Sequence, residues 1–268
     1  MTPQETPLHT PRARPAWLRI ALIAGAAVLA SAVVIGLRNA GEHEQEQVAA
    51  AEIRKVADTL SLMVGNPEGG PEAVPAIDPT PKATGFYGEL ERVIKTVAGE
   101  RVAQHKAYLQ DLHDIGMPRL LDAHRLARDT GLVESRMILE QAEHLVPKYQ
   151  QQSVQVLKNM PALIRSLAIR EPEKQKMLTR LNATLAQRSA NLEQVWSLEA
   201  RILREFGQMI TLLDDNRQHW YADHDELLFD RNDDLNRFHE HMAAIGKLSA
   251  EQEKLGRQQL ASLLSALP

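Results

Sequence analysis

An acidic segment in the last quarter of the chain holds the densest set of side chains that could bind a metal ion. Residues 214–234 contain eight carboxylates and two histidines against two arginines. Carboxylate oxygens and imidazole nitrogens are common ligands of divalent cations, so a metal site is one interpretation. We favour a solvated acidic face on a helix, because carboxylates rarely leave water without a partner. The acids and histidines of this segment are Asp214, Asp215, Asp223, Asp225, Glu226, Asp230, Asp233, Asp234, His219 and His224.

The most specific metal motif that this segment offers is a calcium-binding loop, and the sequence does not complete it. Asp230, Asn232 and Asp234 match the first three ligand positions. The sixth position, where the loop needs glycine, is Leu235, and the twelfth, where it needs glutamate, is His241. The sequence therefore predicts no calcium loop.

The histidines do not form a recognisable zinc site either. On a helix, His239 and His241 point about 200° apart, so they cannot share one metal ion from that element. No histidine pair has the four-residue spacing with a glutamate that helical zinc proteases use. We expect the other histidines of the body to be exposed or half-buried, namely His105, His113, His124 and His144.

Other catalytic chemistry is also missing from the sequence. The chain has no cysteine, which excludes disulfides, thiol nucleophiles and cysteine-based zinc sites. It contains no G-x-S-x-G motif and no phosphate-binding glycine loop. We therefore predict no catalytic, cofactor-binding or metal-ligating residues, no cofactor, and a protein that is not an enzyme.

The charge distribution argues against a nucleic-acid partner. Four arginines and one glutamate lie within residues 1–38, so the remainder carries 27 basic and 34 acidic residues, a net charge of −7. Phosphate backbones and anionic lipid surfaces select faces rich in lysine and arginine. We expect no nucleic-acid binding.

One N-terminal segment predicts a membrane anchor. Residues 20–37 run for eighteen positions without a charged residue, and with their flanks they approach the roughly 20 residues that span a bilayer. We assign the transmembrane helix to residues 17–38. Three arginines precede the uncharged run 20–37 and an acidic stretch follows Arg38. The positive-inside rule therefore places residues 1–16, a disordered and proline-rich tail, in the cytoplasm. The body then lies outside the cell membrane, which is the periplasm if the cell is Gram-negative.

A cleavable signal peptide is the alternative interpretation of the same segment. Ala30, Ser31 and Ala32 have the small-x-small form of a cleavage site after an apolar run. The uninterrupted apolar length fits an anchor better than a signal peptide.

The body is predicted to be all-α, with long amphipathic helices in a bundle or in extended hairpins. Aromatic residues, which are enriched in β-strands, make up only 4% of the chain, and this disfavours sheets. Residues 42–64 form a juxtamembrane helix, residues 65–85 a linker with five prolines and four glycines, and residues 86–268 the extracytoplasmic helical domain. The linker could separate the first helix from the domain by up to about 60 Å.

The juxtamembrane helix carries an apolar seam that something must cover. A second copy of the chain could cover it in a short coiled coil, or the chain's own distal helices could pack on it. The spacing of the apolar residues is compatible with both alternatives. The seam residues are Ala49, Ile53, Val56, Leu60 and Met63.

Prolines and glycines divide the first part of the distal domain. We expect a break at residues 116–118, and kinks or breaks at Pro147 and Pro161, since an interior proline removes a hydrogen bond. Residues 172–213 are predicted as one helix of roughly 60 Å.

Two more helices are predicted at the C-terminal end. One carries the apolar residues between Trp220 and Ile245. Ser249 and Gln252 have the spacing of a capping box and are expected to open the second.

Two functions fit this organisation. The first is a membrane-anchored structural or interaction protein that docks a protein partner or another copy of itself. The second is a helical bundle that binds a small ligand between its helices and signals through a partner, because a tail of about 16 residues leaves no cytoplasmic output domain. A metal-dependent enzyme that uses the acidic segment is a third and weaker alternative.

Overall fold

The structure is a computed structural model, and it describes residues 8–9, 43–65 and 70–265. This part of the chain is mostly helical, which confirms the predicted all-α character. A three-stranded antiparallel sheet in the order β1-β3-β2 is the main exception. The helices are α1 His43–Gly65, α2 Gly85–Asp114, α3 Ala123–Arg128, α4 Val133–Arg165, α5 Glu171–Asp215 and α6 Asn232–Ser265. The strands are β1 Leu8–His9, β2 Trp220–Asp223 and β3 Glu226–Phe229.

Four long helices, α2, α4, α5 and α6, form a bundle with two apolar clusters in its interior. α5 packs against α4 and α6, α2 packs against α4, and α1 lies on α2 and α6. The cluster that contains the apolar face of α1 is called the α1 cluster here. The cluster that contains the apolar residues of β2 and β3 is called the sheet cluster. Each of α2, α4, α5 and α6 contributes to both.

The α4–α5 hairpin confirms one length prediction and corrects another. α5 is a continuous helix of 45 residues, so the long helix predicted over residues 172–213 is present. α4 also continues from Val133 to Arg165 with Pro147 and Pro161 inside it, so the expected breaks are absent. Buried neighbours such as Val146 and Met160 pack on both sides of these prolines, and that packing offsets the missing hydrogen bonds.

A β-hairpin replaces the first part of the helix predicted between Trp220 and Ile245, whereas the part from Leu235 onward is helical. Trp220 pairs with Phe229 across the two strands, and His224 takes a left-handed conformation with φ 52° in the turn between them. α6 then begins at Asn232 and runs through Ser249 without a break. The predicted start of a new helix at Ser249 is therefore wrong. The sequence pattern did not reveal the hairpin, because Leu227, Leu228 and Phe229 are consecutive and all buried, and so lack the alternation of a half-exposed strand.

The seam of α1 is buried within the protein itself. Ile53 and Leu60 are each 1% exposed and belong to the α1 cluster with residues of α2, α4 and α5. Of the two alternatives, the chain's own helices cover the seam. The seam therefore offers no surface to a second copy.

The proline-rich linker does not hold α1 away from the domain. Its last residues are bound to the bundle, because the backbone N–H groups of Lys82 and Ala83 donate to the carboxylate of Glu91 at 2.9–3.0 Å. The ammonium group of Lys95 lies 2.7 Å from Glu91 and 2.8 Å from Glu52 on α1. Glu91 is fully buried and Lys95 is 3% exposed. This network fixes the linker end and α1 to α2, so the predicted separation is wrong.

The N-terminal predictions fall mostly outside the described residues. Of the tail predicted to be disordered over residues 1–16, Leu8 and His9 are described, and they form β1 opposite Phe229 and Leu228. That pairing corrects the prediction for these two residues. The transmembrane helix predicted over residues 17–38 lies outside the described residues. None of the helices in the described ranges combines the length and apolar character needed to cross a bilayer.

Truncating the α1 seam is expected to destabilise the whole bundle. Leu60→Ala removes a side chain that is 1% exposed, and such core truncations cost about 2–5 kcal/mol. The free energy of unfolding, measured by urea titration and circular dichroism on the full chain in detergent, should fall by that amount. The matched control is Leu264→Ala on α6, where the side chain is 39% exposed and the expected change is within about 0.5 kcal/mol. Equal changes for both variants would contradict burial of the seam.

Candidate functional site

Buried polar residues separate the two apolar clusters at the same level of all four bundle helices. The polar layer, as we call it, consists of Arg101, His105, Ser153, Arg188, Gln252 and Gln259, all of which are buried. Five of these residues lie where the buried side chains of a helix change from one cluster to the other: His105 in α2, Ser153 in α4, Arg188 in α5, and Gln252 and Gln259 in α6. Arg101 directly precedes Val102 and lies at the edge of the α1 cluster, one turn from His105.

Contacts beside the layer fix the helices in register. The hydroxyl of Tyr108 on α2 donates to Glu199 on α5 at 2.5 Å. The amide nitrogen of Gln252 on α6 donates to the other oxygen of Glu199 at 3.0 Å and to the backbone oxygen of Val195 at 3.2 Å. The ring of Tyr108 also lies edge-on to Tyr149 of α4, with centroids 5.1 Å apart. Four helices thus meet at one level, about one to two turns from Arg101 and His105 along α2.

Glu199 is a buried carboxyl group that is satisfied by neutral donors. Burial raises its pKa above the ordinary value, while the hydrogen bonds from Tyr108 and Gln252 act in the opposite direction. Burial and the nearby Glu199 also raise the pKa of Tyr108 well above its ordinary value. Both oxygens of Glu199 are occupied by these neutral donors.

Arg101 brings a positive charge into the interior. Its side chain is 2% exposed, and burial lowers its pKa to about 10, so it stays protonated at neutral pH. One terminal nitrogen donates to the amide oxygen of Gln104 at 3.1 Å. Within the described part of the chain, no carboxylate forms an ion pair with Arg101.

His105 lies one turn further along α2. Burial and the charge of Arg101 lower its pKa to about 4, so the ring is neutral at pH 7. A second arginine, Arg188 on α5, is 7% exposed and donates from Nε to the hydroxyl of Thr184 at 2.8 Å. Burial lowers the pKa of Arg188 to about 10. Both arginines of the layer therefore stay protonated at neutral pH.

Several buried polar atoms of the layer have no hydrogen-bond partner within the described part of the chain. Buried polar groups in folded proteins nearly always have a hydrogen-bond partner, whether protein, water or ligand. In and beside the layer, the buried atoms with no hydrogen-bond partner among the described residues are Arg101 Nε, His105 Nδ1, Ser153 Oγ, Trp196 Nε1, Ser249 Oγ, Gln252 Oε1 and both amide atoms of Gln259. Such a set can bind a small polar or charged molecule between the helices.

The acidic segment does not assemble into a comparable site. Asp214 at the end of α5 pairs with Arg136 at 2.6 Å, and Asp223 pairs with His224 at 2.8 Å in the hairpin turn. The segment is not the acidic helical face that we predicted, since it spans the end of α5, a 3-10 turn, the hairpin and the start of α6. Among the described residues, no group of three histidine, aspartate or glutamate side chains is placed to hold a metal ion.

The two neighbouring histidines on α6 have separate surroundings. Nδ1 of His241 lies 2.9 Å from a carboxylate oxygen of Glu205 on α5. The ring of His239 lies beside Phe238. Neither contact brings the two rings together.

Sequence reasoning missed the polar layer. His105 was expected to be exposed or half-buried and is 5% exposed, and Gln252 was assigned to a capping box and lies in the core. The signal was present along α2, because Arg101 continues the apolar series formed by Leu90, Ile94 and Val97. A polar residue at a core position of a helical repeat is the pattern that would have indicated it.

Comparison with known proteins adds no relative. No protein-family model matches the chain, and the searches of curated proteins and of solved structures give no match either. Interpretation of the site therefore rests on its geometry and charge.

Protonation of His105 is expected to destabilise the protein in acid. Its folded-state pKa of about 4 lies below the unfolded value of about 6.5, so the unfolded chain binds the proton first as the pH falls. The free energy of unfolding should decrease between about pH 6.5 and pH 4, by up to about 3 kcal/mol. Urea titrations at pH 7.5 and 4.5 in one low-salt buffer should show this loss in the wild type and not in His105→Gln.

Two features make the comparison of the wild type with His105→Gln selective for the titration of His105. Glu199 has a raised pKa and so contributes with the opposite sign, but it is present in both proteins and cancels in the difference. His113→Gln, at a side chain that is 63% exposed, is the matched control and should keep the wild-type pH profile. Parallel profiles for all three proteins would refute the burial of a neutral His105.

Proposed function

We propose that the protein is a membrane-anchored helical bundle, with its body on the extracytoplasmic side, that binds a small ligand at the polar layer and acts through a protein partner. One observation carries the proposal: where its two apolar clusters meet, the bundle buries Arg101 and several polar atoms that have no hydrogen-bond partner among the described residues. Leaving such groups buried and unpaired costs several kcal/mol. A bound ligand offsets that cost, and pockets between bundle helices are common binding sites.

Docking of a protein partner is the second candidate function. The sequence favours it through the long amphipathic helices and the reach of the linker. The long helices are present in the structure, whereas the end of the linker is bound to α2. One specific observation still favours it, since Val133 and Met137 are 65% and 52% exposed. They are four residues apart at the start of α4 and so lie on one face of the helix.

The proposed membrane orientation and strand β1 exclude each other. A chain that crosses the bilayer once between residues 10 and 42 has Leu8 and Phe229 on opposite sides. The structure pairs Leu8 with Phe229 in one sheet. The anchor and its orientation are therefore proposals that rest on the apolar length and charge asymmetry of the sequence alone.

Cysteine labelling is expected to distinguish the two arrangements. The chain has no native cysteine, so Glu5→Cys and Ala261→Cys can be made singly, the latter at an exposed position of α6. In sealed right-side-out membrane vesicles, a membrane-impermeant maleimide should label Ala261→Cys at once and Glu5→Cys only after detergent is added. Labelling of both before detergent would overturn the proposed orientation in favour of the β1–β3 pairing.

Ligand binding at the layer should be visible by native mass spectrometry of the protein solubilised from its own membrane. The wild type is expected to carry a small molecule that is lost on denaturation. Gln259→Leu, which replaces a buried amide by an apolar side chain, should lose it. Gln258→Leu, the exposed neighbour on α6, should retain it.

Two other results would count against ligand binding at the layer. A small molecule that survives Gln259→Leu unchanged binds elsewhere. A stoichiometric protein partner without a small molecule supports docking, provided that replacement of Val133 and Met137 by serine releases it.

A further inference from the structure

We infer that the ligand of the polar layer is a small inorganic anion held by the guanidinium group of Arg101. This inference rests on the proposed ligand-binding function and names the chemical class of the ligand.

The first step is the charge of Arg101. Its side chain is 2% exposed and its hydrogen bond within the described residues goes to the neutral amide of Gln104. Arginine stays protonated at neutral pH even with the lowered pKa of about 10. A buried cation needs an opposite charge and further hydrogen bonds to offset the loss of water.

The second step is that the chain supplies no such counter-charge in the described ranges. The buried carboxyl group of Glu199 accepts hydrogen bonds at its two oxygens from Tyr108 and Gln252. The buried carboxylate of Glu91 is bound to Lys95 and to the linker backbone. The charge that balances Arg101 must therefore come from outside these segments.

The third step is the chemistry of the other buried polar atoms of the layer. Nδ1 of His105, the hydroxyl of Ser153 and the amide group of Gln259 are buried without partners among the described residues. A neutral imidazole, a hydroxyl and an amide can each present a hydrogen-bond donor. Donors in the same layer as a fixed positive charge are suited to an anion, whereas a metal cation would be repelled by Arg101.

The size of the ligand follows from its position. The layer lies between two well-buried apolar clusters, and bundle interiors are close-packed. This favours a halide or a compact oxyanion such as nitrate or phosphate over a larger organic anion.

The test is thermal unfolding of the full chain in detergent, with the anion changed at constant ionic strength. Gluconate, a bulky anion, is the reference, and chloride, nitrate and phosphate are the probes. The wild type should gain thermal stability in at least one probe, in a saturable manner. At one hundred times the dissociation constant, the midpoint should rise by about 5–10 °C.

Arg101→Met is the decisive variant. It removes a buried charge, so in gluconate it should be at least as stable as the wild type, and it should show no saturable rise in any probe. Arg204→Met, at an exposed position of α5, is the matched control and should respond as the wild type does. If Arg101→Met fails to fold, Gln259→Leu serves as the second variant, and its half-saturating concentration should rise at least tenfold.

Equilibrium dialysis of the stabilising anion should give about one bound anion per wild-type chain and none for Arg101→Met. Equal stabilisation of the wild type and Arg101→Met would overturn the inference, since the effect would then be a general salt effect. An absence of saturable stabilisation would overturn it as well. If native mass spectrometry nevertheless shows a neutral molecule at the layer, the proposed function stands and the anion is wrong; if nothing is bound, both fail.

Discussion

Burial of apolar side chains along α5 is the interaction on which the rest of the structure depends. This one continuous helix contributes to both apolar clusters, and it packs against α4 on one side and α6 on the other. The two ends of the bundle are thereby held in a fixed register. Only with that register do Tyr108 of α2 and Gln252 of α6 both reach Glu199.

Burying the polar layer destabilises the folded protein, and the apolar clusters next to it offset that cost. Hydrophobic burial contributes on the order of 25 cal/mol per Å², so the large apolar clusters can offset the cost of burying Arg101 and its polar neighbours. A buried polar layer can also select one register among helices that would otherwise slide. This role and ligand binding are compatible, because a ligand that neutralises Arg101 strengthens the same register.

The apolar seam of α1 resembles a coiled-coil motif in the sequence but is buried against the protein's own helices. These helices present a complementary apolar surface to it. The charges of Glu52, Glu91 and Lys95 then lock α1 and the linker end onto α2. A second copy has no access to the seam because the intramolecular contact is already satisfied.

The sequence by itself determined the helical class, the position of α1, the end of α2 near Gly116 and the length of α5, since these depend on local periodicity and on glycine and proline. The membrane-spanning helix over residues 17–38 stays a prediction from apolar length, since it lies outside the described residues. Tertiary structure alone decided the continuity of α4 through Pro147 and Pro161, where packing outweighs the lost hydrogen bonds.

The β-hairpin and the polar layer were likewise decided by tertiary structure. Trp220 and Leu227 are seven residues apart and fit a helical period, but in the structure they lie on the two paired strands of a hairpin. Arg101, Ser153 and Gln259 lie on three helices far apart in the chain, and only folding brings them to one level. No local sequence pattern indicates that these residues come together, because a polar residue at a core position can be interpreted only when the facing helices are known.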